Sequence, residues 1–229
     1  MSHVEQRIQQ IEKKIQMACE RSGRQRSDVQ VVAVTKSVSN ERTAEVLAAG
    51  FNHLGENRPD GLMAKVAHIP TDVNWHFIGN LQSRRIRDII HDVRYIHSLS
   101  RKSIAKEIQK RATETVDCFV QVNVSGEASK SGLEPEEVKT FIESIVQYDK
   151  VRVIGLMTMA PNIDDRDEIR GYFKRLRAIR DELQHAQLPN APCTELSMGM
   201  SNDYEIAIEE GATYIRIGTA LVGEESEGE

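Results

Sequence analysis

About eight short β-branched runs, separated by segments of helical period, constrain this 229-residue chain more than any motif in it. The clearest runs are 29–34, 75–78, 95–99, 118–124, 151–157 and 214–217, with weaker candidates at 51–55 and 195–198. Most lack the alternation of a half-wetted strand, so they read as buried on both faces, as parallel strands are. Between them, Val138, Phe141, Ile142 and Ile145 mark one helical face, with Pro135 near its start. Ile169, Phe173, Leu176, Ile179 and Leu183 mark another, and 102–112 and 202–210 also read as helices. Strand, helix, strand repeated about eight times demands right-handed parallel crossovers. An open doubly wound sheet is the structural rival. The eightfold count and a single leading helix favour an α/β fold closed as a (β/α)8 barrel with an extra N-terminal helix. Residues 1–229 are expected to form one domain, with 224–229 as an acidic tail.

Charge narrows the function classes. Acidic and basic residues are mixed along the chain and the net charge is −5. No nucleic-acid footprint is present, although a local pocket can still be positive. The three cysteines, Cys19, Cys118 and Cys193, fit neither a disulfide framework nor a zinc pattern, which suggests a reducing compartment. Residues 1–21 carry no apolar run suited to a signal peptide, and nothing approaches the ~20 apolar residues of a membrane span. A cytoplasmic protein without membrane partners is expected.

In parallel α/β proteins the chemistry gathers where strands end. Lys36 follows Val31-Val32-Ala33-Val34 directly, unlike most lysines here, which lie in polar surroundings. It is either an amine emerging into solvent or one held at the barrel mouth with a lowered pKa, ready for imine formation. Ser201 follows Gly199 and precedes the helix expected at 202–210, where unpaired N–H groups suit a phosphate. Simple capping by Ser201 or Asn202 is the plainer alternative. Arg216 sits inside an apolar strand and needs a carboxylate or a ligand. Gly218, on the same face, permits close backbone approach, and Thr219 offers N–H and hydroxyl donors.

Weaker candidates surround these. Asn57 and His76 fit loop-satisfying roles, and Met157 and Met159 fit core packing. The stretch 126–132 lacks the leading glycine and spacing of a phosphate loop and reads as a mobile rim loop. No HExxH, CxxC, GxSxG or GxGxxG pattern occurs, and no metal site is expected.

Together these positions resemble the pyridoxal-phosphate homeostasis protein family, a group of fold-type III barrels. The matching segments are Val-Ala-Val-Thr-Lys36, Gly55-Glu-Asn57, Trp75-His-Phe-Ile-Gly79-Asn-Leu-Gln82 and Val122-Asn-Val-Ser. Gly155-Leu-Met-Thr-Met, Leu196-Ser-Met-Gly-Met-Ser-Asn-Asp203 and Arg216-Ile-Gly-Thr-Ala-Leu-Val-Gly223 complete a set spanning nearly the whole chain. The resemblance implies that Lys36 holds pyridoxal 5′-phosphate (PLP) as a Schiff base. It implies that Ser201, Gly218 and Thr219 bind the phosphate, that Arg216 faces the pyridine nitrogen and that Asn57 lies near the ring. Arg58-Pro59-Asp60 and Asn80 depart from the commonest family pattern, at rim positions that bear on selectivity more than on cofactor binding.

Arginine only donates hydrogen bonds, so a ring nitrogen facing Arg216 is an unprotonated acceptor and the ring withdraws electrons poorly. Only six residues follow Gly223. Related racemases and decarboxylases add a β-rich second domain, which these six cannot supply, so the expected site is open to water. The expected function is therefore PLP carriage in vitamin B6 homeostasis, without catalytic residues, by a monomer that serves PLP-requiring apoenzymes. The alternatives are a small PLP-dependent amino-acid racemase and a phosphate-binding barrel without cofactor.

Overall fold

The computed structural model describes residues 3–69, 72–127 and 130–224. Part of the 126–132 loop, and the tail beyond 224, lie outside them. The strands are β1 (Gln30–Val34), β2 (His53–Glu56), β3 (Asn74–Phe77), β4 (Val93–Leu99), β5 (Val116–Gln121), β6 (Val151–Met157), β7 (Glu195–Ser197) and β8 (Tyr214–Ile217). All pair in parallel, each with its sequence neighbour, and β8 returns to β1 to close the barrel. That seam runs in register from Gln30 opposite Tyr214 to Ala33 opposite Ile217. The expected (β/α)8 barrel with a leading helix is the observed fold, and all eight expected runs are strands.

The helices are α1 (His3–Arg21), α2 (Asn40–Ala48), α3 (Pro59–Val66), α4 (Ile86–Ile89), α5 (Lys102–Arg111), α6 (Val138–Glu143), α7 (Arg166–Ala186), α8 (Tyr204–Glu209) and α9 (Thr219–Val222). Local chemistry starts several of them. The Ser39 side chain accepts from the Arg42 N–H to begin α2, and Asp165 accepts from the Asp167 and Glu168 N–H groups to begin α7. Pro59 opens α3, where its missing N–H costs nothing. On α1, Val4, Ile11, Ile15 and Ala18 are buried, one stripe at helical spacing laid against the barrel.

One large apolar cluster fills the space between strands and helices. Inside the barrel a separate small cluster, Phe119, Ile154 and Met157, packs with Tyr95 and Tyr214. The remaining interior is strikingly polar only in part: His76, His97, Ser197 and Arg216 are all buried there. No helix among the described residues is long and apolar enough to cross a membrane.

Candidate functional site

A cavity of about 440 Å³ occupies the end of the barrel where the strands finish. Its wall includes Lys36, Asn57, Ser201, Arg216, Gly218 and Thr219, so all six residues singled out from sequence come together. They arrive from the ends of β1, β2, β7 and β8, which are far apart in the chain and contiguous only because the barrel closes.

Lys36 is exposed, two residues beyond β1, and lines the cavity. The strand end below it is fixed by a buried group of side chains. Thr35 Oγ1 donates to Glu56 Oε1 at 2.7 Å, and Lys65 Nζ donates to the same oxygen at 2.8 Å and to the Thr35 carbonyl. Lys65 and Glu56 are nearly inaccessible, so this ion pair ties α3, β2 and the β1 terminus into one unit.

Two glycines shape the rim. A Cβ on Gly79 would strike the Asn57 carbonyl, so only glycine lets the chain after β3 pass the loop that carries Asn57. Gly199 has φ +93°, and a Cβ there would lie 2.6 Å from that of Ala207. This turn sends the chain into Ser201.

The helix expected at 202–210 is shorter than that. Residues 201–203 form a turn and α8 begins at Tyr204, because Asp203 Oδ1 accepts the Met200 N–H at 2.6 Å and holds the turn closed. Neither Ser201 nor Asn202 caps the helix. Among the described residues the N–H groups of Ser201, Asn202 and Thr219 have no protein acceptor. Donors left over at this turn and at the first turn of α9 are what an anion needs.

Arg216 is only 4% exposed, and no carboxylate pairs with it among the described residues. The internal ion pair considered from sequence is therefore replaced by neutral acceptors. Nη1 donates to Ser197 Oγ at 2.5 Å and Nη2 to the Thr158 carbonyl at 2.9 Å. Burial pushes its pKa down to about 10, partly opposed by the nearby Asp203 charge, and it stays cationic at neutral pH. Burial raises Asp203 in turn.

Other sequence readings divide. Met157 is buried as expected, whereas Met159 is 37% exposed on the cavity wall. Ser131 also lines the cavity, and the end of its loop is anchored, because Leu133 N–H donates to the Gln121 carbonyl at 2.9 Å and Asn123 N–H to the Leu133 carbonyl at 2.8 Å. His76 does not line the cavity and is no lone histidine. It joins His53 and His97 inside the barrel, at 2.8 Å on each side. The signal for that group was one histidine on each of three successive strands. All three cysteines are buried and free, and no cluster of metal-ligating side chains exists among the described residues.

Comparison with known proteins gives a consistent set. Residues 7–226 match the family model for the alanine racemase N-terminal domain. The chain is 42% identical over 223 residues to the pyridoxal phosphate homeostasis protein of Aquifex aeolicus (strain VF5), covering 96% of this chain and 97% of that one. A structure described as an unknown protein from Bifidobacterium adolescentis aligns with TM-score 0.90 at 32% identity, over 95% of this chain and 94% of that one. PipY of Synechococcus elongatus PCC7942, solved with PLP bound, aligns with TM-score 0.79 at 34% identity, over 92% and 99% of the two chains.

Proposed function

The chain belongs to the pyridoxal phosphate homeostasis protein family, and from that premise we propose that it is a one-domain carrier of PLP. In this reading Lys36 holds the cofactor as a Schiff base. Ser201, Gly218 and Thr219 bind its phosphate, Arg216 faces the pyridine nitrogen and Asn57 lies beside the ring. The observation that carries it is a single cavity combining a primary amine, unpaired backbone N–H donors and a buried cation without a carboxylate. Each of the three matches one functional group of PLP: aldehyde, phosphate and ring nitrogen.

The chain's own residues support carriage over turnover. Arg216 donates and stays charged, so it leaves the ring nitrogen an acceptor and withholds the electron-sink strength that bound PLP supplies when that nitrogen is protonated. Racemisation needs acid and base groups on both faces of the ring. Among the described lining residues, Lys36 and Asp203 are the only amine or carboxyl side chains, and Asp203 already holds the Met200 N–H. We read the protein further as a cytoplasmic monomer that supplies PLP-requiring apoenzymes in vitamin B6 homeostasis. Its free, buried cysteines fit a reducing compartment.

The test is an absorbance spectrum of the purified protein before and after borohydride, with peptide mapping of the reduced adduct. The expected result is a violet-absorbing species that borohydride bleaches, with the adduct on Lys36. Lys36→Ala is expected to lose that absorbance while unfolding within about 0.5 kcal/mol of the parent, because the side chain is exposed. A colourless protein that binds only phosphate, or robust racemisation of an L-amino acid, would overturn the proposal.

A further inference from the structure

A line of hydrogen bonds runs from Arg216 down the inside of the barrel. Arg216 Nη1 meets Ser197 Oγ at 2.5 Å, Ser197 Oγ meets His97 Nδ1 at 2.8 Å, and His97 Nε2 meets His76 Nδ1 at 2.8 Å. His76 Nε2 then meets His53 Nδ1 at 2.8 Å, and His53 Nε2 lies 3.4 Å from Nδ2 of the Asn74 amide, a group that can present either its nitrogen or its oxygen. Ser197, His97 and His76 are fully buried, whereas His53, the first residue of β2, is half-buried at the other end of the barrel.

The chemistry of the first member fixes the rest. A guanidinium has no acceptor, so Ser197 Oγ accepts from it and has one proton of its own to give. Among the described residues the buried hydroxyl has no acceptor for that proton except His97 Nδ1, which makes His97 the Nε2–H tautomer. His97 then donates to His76 Nδ1, His76 donates to His53 Nδ1, and His53 keeps its proton on Nε2, which requires the facing Asn74 amide to turn its Oδ1 to the ring. Every donor points away from the cation. We propose that His97, His76 and His53 are positioning residues: a neutral column, polarised in one direction by Arg216, that holds the guanidinium in place without a carboxylate. Each bond in such a line polarises the next, so Ser197 is a stronger acceptor than an isolated hydroxyl.

The direction also closes the barrel floor to protons. A proton entering at His53 advances only if each ring reverses its tautomer, and the last reversal would make Ser197 Oγ accept twice and leave its buried hydrogen without an acceptor. The surroundings agree with a neutral column. Burial holds His76 and His97 well below the usual histidine range, with the Arg216 charge adding to it at His97, and burial lowers His53. His76 stacks on Tyr95 at 4.2 Å and His97 on Phe119 at 4.4 Å between ring centres. The charged groups near its lower end are the Arg152–Asp117 pair and Glu195, which reach Tyr95 and Tyr214, and at its upper end Arg216 and Asp203. That the column thereby keeps a ring nitrogen unprotonated rests on the PLP reading above; the column itself does not.

The decisive measurement is long-range ¹H–¹⁵N correlation of the histidine rings, in full-length protein stripped of PLP and again after PLP is added. His76 and His97 are expected as neutral Nε2–H tautomers in both forms between about pH 8 and about pH 6. Finding either as an Nδ1–H tautomer or as a cation in that range would overturn the proposal, whether or not the protein binds PLP. Ser197→Ala severs the column from Arg216 by removing one hydroxyl. It is expected to release His97 into a tautomer mixture, to shift the absorbance of bound PLP and to weaken PLP binding about tenfold. If Ser197→Ala folds and leaves His97 locked and the PLP spectrum unmoved, the column has no hold on Arg216. Should that variant not fold, the parent spectra alone decide.

Discussion

Two cations are buried among the described residues of this barrel, Lys65 and Arg216, and they are compensated in opposite ways. Lys65 has a carboxylate at 2.8 Å and the Thr35 carbonyl, and Glu56 is itself held by the Thr35 hydroxyl. Its charge is cancelled inside the protein, and its work is to fix the strand end that carries Lys36. Arg216 has only a hydroxyl, a carbonyl and, behind them, neutral imidazoles. Nothing cancels its charge at short range, and its guanidinium borders the cavity. The difference teaches that burial alone does not mark a functional cation. A buried cation that no carboxylate contacts directly is the one available to a ligand.

The comparison can be broken by removing each compensation in turn. Glu56→Gln should have the largest effect, a loss of about 3–5 kcal/mol in urea unfolding, because Lys65 is left with an uncompensated buried charge. The double variant Glu56→Leu with Lys65→Met should recover most of it. If Glu56→Gln alone costs less than about 1 kcal/mol, the pair is not the brace argued here. Arg216→Met should cost less, about 1–3 kcal/mol in the same assay, since it removes a donor and leaves no stranded charge. Its main consequence should be weaker PLP binding with an altered spectrum, read by absorbance titration. Equal losses of stability for the two sites would erase the distinction.

The smallest effect per step is the dependence on pH. His76 and His97 stay neutral when folded but take up protons when unfolded below about pH 6.5. The unfolded state then binds more protons, so stability falls as pH falls below about 6.5, by at most about 1.4 kcal/mol per pH unit for each histidine. Asp203, raised by burial, works in the opposite sense where it titrates. Replacing His76 by Leu should flatten the slope of the urea midpoint between about pH 6.5 and about pH 5.5. An unchanged slope would show that His76 takes up protons in the fold.

What the sequence made legible follows from how local each signal is. The eight strands and the leading helix were readable because apolar runs and helical spacing are properties of neighbours in the chain. Lys36, Ser201 and Arg216 were readable because each is a polar residue at a strand end or inside an apolar run. The limits of α8 were not, since the turn at 201–203 is closed by Asp203 reaching back to Met200. Met159 was assigned to the core from its type, although its position after β6 puts it on the cavity wall. The Glu56–Lys65 pair joins a strand to a following helix, and the histidine column joins five strands. Both depend on which way side chains point after closure, information that a single histidine in a strand does not carry.

The seam between β1 and β8 sets the order of events during synthesis. Lys36 leaves the ribosome well before Arg216 and Thr219, which lie far later in the chain. On the proposed reading, a nascent chain presents the Lys36 amine long before the residues assigned to the phosphate. On that reading, capture of a phosphorylated aldehyde becomes strong only once β8 docks against β1, a contact between strands far apart in sequence and correspondingly slow to form. Retention of PLP would then report completed closure, and a misclosed barrel would release it.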